Sequence, residues 1–148
     1  MHRMGEYAPA WMALAVCLAG VGGCNGEGPY PVQGRLVFEN DGQPVKDLYG
    51  YTVSFTSESS HQSATGDIDQ DGGFRLTSRR KGDGALPGIY KVVLTQPHAN
   101  PERGEYRQPV VDVIYEDPRR TNLRAKVEAK NNVFTFQLRR AMHVEHSP

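Results

Sequence analysis

The feature that most limits what this chain can become is a period of two, interrupted by glycine-rich turns, in residues 65–94, TGDIDQDGGFRLTSRRKGDGALPGIYKVVL. Phe74 and Leu76 are two apart, as are Tyr90, Val92 and Leu94. A strand with one buried face repeats every second residue, whereas a helix repeats every three to four. Residues 69–73 and 82–88 supply the turns between three such segments. Val32, Gly34, Leu36 and Phe38 alternate in the same way with Gln33 and Arg35, and Asn40-Asp41-Gly42-Gln43-Pro44 follows as a turn. Asp-Gly provides the positive φ that tight turns require. Tyr51, Val53 and Phe55 mark a second strand, and residues 64–68 lead into the stretch described first. Val111, Val113 and Tyr115 read as a short extended run ending at Asp117-Pro118. Leu123, Ala125 and Val127 form another strand, Asn131-Asn132 a turn, and Phe134, Phe136 and Leu138 the last strand. No stretch beyond residue 31 shows a helical period. About seven closely spaced strands predict an all-β, seven-stranded antiparallel Greek-key sandwich over residues 32–138.

The 148 residues suffice for one domain, and the formal net charge of zero argues against a nucleic-acid binder, which carries a clustered basic excess. Residues 1–23 have the make-up of a cleaved signal peptide. Residues 11–21 are apolar with small residues interspersed, too short to span a bilayer as a mature helix but suited to a signal core. The segment ends Val21-Gly22-Gly23-Cys24, which resembles the lipobox of bacterial lipoproteins: an aliphatic residue, two small ones, then cysteine. The resemblance implies that Cys24 receives a diacylglyceryl group on its sulfur, becomes the first residue of the mature protein on cleavage, and is often acylated on the new amino group, with palmitate-like chains. It places the protein on the extracytoplasmic face of the cell membrane or outer membrane, with the lipid bilayer as its partner. Cys17 departs with the signal, so no thiol pair remains for a disulfide, and the remaining chain of about 125 residues can hold a core without one. Residues 24–31 are the lipidated cysteine and a short tether; residues 139–148 read as a disordered tail.

The order Val32-x-Gly34-x-Leu36, Asp41-Gly42-x-Pro44-Val45, Asp69-x-x-Gly72-x-Phe74-x-Leu76, Gly82-Asp83-Gly84-Ala85, Pro87-Gly88-x-Tyr90-x-Val92, Tyr115-x-Asp117-Pro118, Thr121-x-Leu123 and Asn132-x-Phe134-x-Phe136-x-Leu138 resembles the carboxypeptidase regulatory-like, or transthyretin-like, β-sandwich. That likeness covers nearly all of residues 31–138 and implies a prealbumin-like, Ig-like sandwich with no activity of its own. Ile89 stands where that pattern is often polar, which blurs the inward face of its strand.

Chemistry-bearing residues are few. Asp67, Asp69 and Asp71, followed by Gly72, match the start of an EF-hand loop, with oxygen donors at alternate positions and a glycine at the bend. Position 78, where the closing glutamate belongs, is Ser78, and the flanks are strand-like, so these aspartates form only a weak calcium candidate and a hairpin turn is the competing reading. Gly82-Asp83-Gly84 and Gly88 lack the Gly-Lys-Ser/Thr and helix of a phosphate-binding loop. His143 and His146 are two imidazoles without a third metal ligand. No G-x-S-x-G elbow or histidine-paired nucleophile is evident, so no enzyme activity and no cofactor are expected. Residues 96–109, rich in proline, form a long loop on which His98, Tyr106 and Arg107 are candidate ligand contacts. The basic groups Arg79-Arg80-Lys81, Arg119-Arg120 and Arg139-Arg140 fall at expected strand ends, and contact with anionic lipid or acidic polysaccharide competes there with ordinary solvation. The leading expectation is a membrane-anchored, non-catalytic β-sandwich lipoprotein, a structural or interaction module of the bacterial cell envelope. The alternative is an extracytoplasmic carbohydrate- or ligand-binding module, with envelope proteins or polysaccharide as partners.

Overall fold

A computed structural model describes residues 28–97 and 108–142. Seven strands run in the order β1 (Val32–Phe38), β2 (Thr52–Ser57), β3 (Ser63–Asp67), β4 (Gly73–Arg75), β5 (Gly88–Thr95), β6 (Arg124–Val127) and β7 (Asn132–Leu138). They form two sheets, one ordered β4-β1-β7 and the other β3-β2-β5-β6. The fold is all-β, and no helix among the described residues is long and apolar enough to cross a membrane.

Alternation decides what each sheet turns inward. Val32, Leu36 and Phe38 of β1 are buried while Gln33 and Arg35 are exposed. Val53 and Phe55 of β2, and Tyr90, Val92 and Leu94 of β5, are buried from the facing sheet. Ile89 is 53% exposed, so the strand with the blurred pattern points Tyr90 inward. Phe55 is the centre of the core. Its ring lies 5.9–6.1 Å from those of neighbouring aromatics on both sheets: Phe74 at 6.1 Å, Phe134 at 5.9 Å and Phe136 at 6.0 Å from one, Tyr90 at 6.0 Å within its own. Tilted and edge-on pairs of this kind place a ring's positive edge against a negative face. Gly34 makes room for the cluster, because a Cβ there would meet the Phe74 ring at 2.4 Å.

Three features depart from the sequence expectation. The sandwich is not wholly antiparallel: β1 and β7 pair in parallel, Val32 opposite Asn132 through Phe38 opposite Leu138. Parallel neighbours need a long crossover, and here the rest of the sandwich is that connection. The run at Val111, Val113 and Tyr115 is not a strand. Val113–Glu116 is a 3-10 turn, with the Asp112 carboxylate accepting from the Ile114 N–H at 3.0 Å. Val111 and Tyr115 are buried whereas Val113 is 48% exposed, so the buried spacing is four residues and the period of two was coincidental. The expected tail is engaged at its start. Asp112 N–H donates to the Arg139 carbonyl at 3.0 Å and Ala141 N–H to that of Val110 at 3.0 Å. Tyr115 Oη accepts from the Arg139 N–H at 3.1 Å, and residues 143–148 lie outside the described part.

The two sheets are stitched along one edge. Thr65 and Thr77 exchange backbone hydrogen bonds of 2.9 and 2.7 Å. The adjacent Gly66 is required by approach, not by dihedral angle, because a Cβ there would stand 2.4 Å from the Arg75 carbonyl oxygen.

Candidate functional site

The topology sorts the loops to two ends. Strands β1, β5 and β7 begin at one end, where β2, β4 and β6 finish, as their registers require. This end gathers the incoming chain at Tyr30 and Pro31, the loop after β2, residues 76–87, and the β6–β7 turn. The opposite end carries the β1–β2 connection, the β3–β4 turn and the segment between β5 and β6.

The incoming chain is pinned. Tyr30 N–H donates to the Ala85 carbonyl at 2.8 Å, and Ala85 N–H to that of Tyr30 at 3.0 Å. Beside this bridge, residues 78–83 wrap around one carboxylate. Asp83 accepts from the backbone N–H groups of Ser78 at 2.7 Å, Arg79 at 3.0 Å and Arg80 at 2.9 Å, and from Ser78 Oγ at 3.2 Å. Consecutive amides turned to one point form an anion-binding concavity, and the chain fills it with its own side chain. Burial raises the Asp83 pKa, but the hydrogen bonds from Ser78, Arg80 and Arg79 outweigh it, and the net shift is downward. The glycine-rich pattern here therefore serves a closed loop. Its cations, Arg79, Arg80 and Lys81, are exposed, and no ion pair engages them among the described residues.

The neighbouring charges at this end are matched. Arg124 Nε lies 2.7 Å from Glu58. Glu128 pairs with Lys130 and, at 3.7 Å, with Lys126, and Lys130 foremost holds its pKa below the ordinary value. Buried Asn132 orders the turn between β6 and β7. Its Oδ1 accepts from Glu128 N–H at 2.9 Å, and its Nδ2 donates to the carbonyls of Glu128 at 3.0 Å and Lys130 at 2.6 Å.

Arg119 and Arg120 sit in the turn before β6, and Arg139 and Arg140 follow β7, all at the opposite end. Both last arginines are engaged. Arg139 lies 3.1 Å from Asp112, and its pKa is raised, first by the Tyr115 hydroxyl and then by Asp112. Arg140 stacks 3.4 Å above the Phe38 ring centroid and reaches Asp41 at 3.2 Å.

A concavity of about 650 Å³ lies on the outer face of the three-stranded sheet. Gln33 and Arg35 of β1, Arg75 of β4, and Val133 and Thr135 of β7 line it, with Asp67 and Asp69 at its rim. Arg75 donates to Gln33 at 3.3 Å. This face, absent from the sequence reading, was signalled only by the polar positions of the alternating strands.

Of the three aspartates with calcium-like spacing, Asp69 turns inward on its own hairpin, accepting from the N–H groups of Asp71 at 2.9 Å and Gly73 at 2.8 Å. Asp67 accepts from the Thr52 hydroxyl at 3.3 Å. No group of three or more metal-binding side chains gathers among the described residues. Cys24, His98, Tyr106, Arg107, His143 and His146 lie outside the described residues.

Fold and surface together define a two-sheet β-sandwich with one ordered basic loop beside its N-terminal attachment. No family model matches this chain, and no curated protein matches it. Among solved structures it is similar to part of a 9R-lipoxygenase from Cyanothece, at 14% identity and a TM-score of 0.37, covering 76% of this chain and 17% of that one. A likeness this low carries no argument about fold family or activity.

Proposed function

We propose that this chain is a lipid-anchored, non-catalytic β-sandwich acting as a structural or interaction module of a bacterial cell envelope. The observation that carries the reading is the sequence Val21-Gly22-Gly23-Cys24 at the end of an apolar run, six residues before the sandwich begins at Tyr30. Two or more acyl chains on Cys24 would hold the domain stably, since each buried methylene contributes about 0.8 kcal/mol. The resemblance to carboxypeptidase regulatory-like domains, and the Greek-key arrangement it implies, belong to this proposal. The test is the mass of the N-terminal peptide of the natural protein. Loss of residues 1–23 with lipid-sized additions on Cys24 is the expected result; a bare thiol on an uncleaved chain overturns it.

A second reading, a carbohydrate-binding module, is favoured by the concavity over Gln33, Arg35, Arg75 and Thr135. Hydrogen-bonding side chains on a shallow face suit hydroxyl-rich ligands. Glycan-array binding that disappears in Arg75→Ala supports it, and a blank array removes it.

A further inference from the structure

We infer that residues 78–84 form a membrane-facing loop whose three cations dock on anionic lipid headgroups; this rests on the lipid-anchor reading above. The sequence contains three basic clusters, and the fold separates them. Only Arg79, Arg80 and Lys81 lie at the end where the N-terminal segment joins the sandwich, and only there does a backbone bridge, Tyr30 to Ala85, fasten the loop's C-terminal side to the incoming chain. With Tyr30 pinned, five residues, 25–29, separate it from Cys24. Even fully extended, that separation spans about 20 Å, so the loop is held near the bilayer surface, within a few screening lengths of about 8 Å at physiological salt.

The loop is also built to present charge. Its backbone amides converge on the Asp83 carboxylate, which holds the loop's shape and leaves the side chains of Arg79, Arg80 and Lys81 exposed. The other charges of this end are Glu58 with Arg124, and Glu128 with Lys126 and Lys130, in mutual pairs, and Arg75 at the end of β4, which donates to Gln33; His61 lies in the loop after β2 and Glu27 in the tether. The three unpaired cations outnumber Asp83 and Glu27. Each basic residue near an anionic surface strengthens binding about fivefold, so three give about a hundredfold.

The test uses the natural full-length protein on vesicles of phosphatidylcholine alone and of phosphatidylcholine with phosphatidylglycerol. A water-soluble acetylating reagent is applied, and modification of Lys81 is read by mass spectrometry against Lys46, which is exposed at the opposite end. Lys81 is expected to react about fivefold more slowly on the anionic vesicles, with Lys46 unchanged. The protection should fade in about 1 M salt, where screening shortens to about 3 Å, and in the double variant Arg79→Gln/Arg80→Gln. An unchanged Lys81 to Lys46 ratio on protein that sediments with both vesicles overturns the headgroup contact and leaves the anchor standing. Sedimentation with anionic vesicles only, with Lys81 protected, supports the loop and sinks the anchor; sedimentation with neither sinks both. Protection by polygalacturonate on neutral vesicles, without protection by phosphatidylglycerol, assigns the loop to acidic polysaccharide and overturns the lipid assignment.

Discussion

The carbonyl oxygen of Tyr30 lies 1.8 Å from the point where a Cβ on Gly84 would stand. Gly84 also has φ +90°, a conformation that side chains resist. The bridge that fastens the N-terminal segment therefore exists only because position 84 has no side chain. Gly84→Ala must open the Tyr30–Ala85 pair or displace the loop. The expected loss is about 3 kcal/mol from the dihedral strain and overpacking together, measured by urea unfolding. Proteolysis near Pro31 should become faster in the same variant. An unchanged unfolding midpoint would show that the pin contributes nothing.

Asp83 makes stability depend on pH. Its folded pKa is lowered, so its contribution is fully present above the unfolded value of about 3.9 and is lost as the pH falls through the folded value. Asp83→Ala leaves three backbone amides without their acceptor and should cost about 1–2 kcal/mol at pH 7. Asp83→Asn keeps one acceptor oxygen, so its loss should be smaller, and the difference from the wild type should shrink as the pH falls through the lowered folded pKa of Asp83. Unfolding curves between pH 2 and pH 7 decide this.

Phe55→Ala removes the ring that touches both sheets. Large-to-small changes of this kind cost about 3–5 kcal/mol. Phe55→Leu should cost less, because it keeps most of the volume but loses the edge-to-face geometry. Chemical denaturation compares the two, and near-equal stabilities of wild type and Phe55→Ala would contradict the central place of this ring.

Asn132 offers a sharper test. Its Nδ2 faces the carbonyls of Glu128 and Lys130, so Asn132→Asp turns a donor into an acceptor against acceptors. The aspartate should destabilise by about 3 kcal/mol at neutral pH, because a buried polar atom is left unpaired and charged. Lowering the pH through the aspartate's folded pKa should recover part of the loss, since protonation restores one donor. A circular-dichroism melt at pH 4 and pH 7 provides the comparison.

Most strands were legible in the chain because their information is local. Tyr51, Val53 and Phe55, or Tyr90, Val92 and Leu94, declare a buried face through spacing alone, and Asp69 with Gly72 declares a turn through side-chain and dihedral chemistry. The 3-10 turn at Val113–Glu116 was misread because Val111, Val113 and Tyr115 imitate a strand in apolar content while only the first and last are buried. The concavity over Arg35, Arg75 and Thr135 had no motif, since its residues come from three strands far apart in the chain.

The chain's own letters determine its secondary elements, its inward faces and the glycines that turns demand, because each follows from dihedral preference or from the two-residue pleat. They leave open which strand lies beside which. The parallel pairing of Val32–Phe38 with Asn132–Leu138, and the choice of one basic cluster over two others to stand beside Tyr30, were decided only in three dimensions. A pleated strand can bond to a neighbour on either edge and in either direction, so the pairing depends on side chains far apart in the chain, such as Phe55, Phe74 and Phe136, meeting in one core.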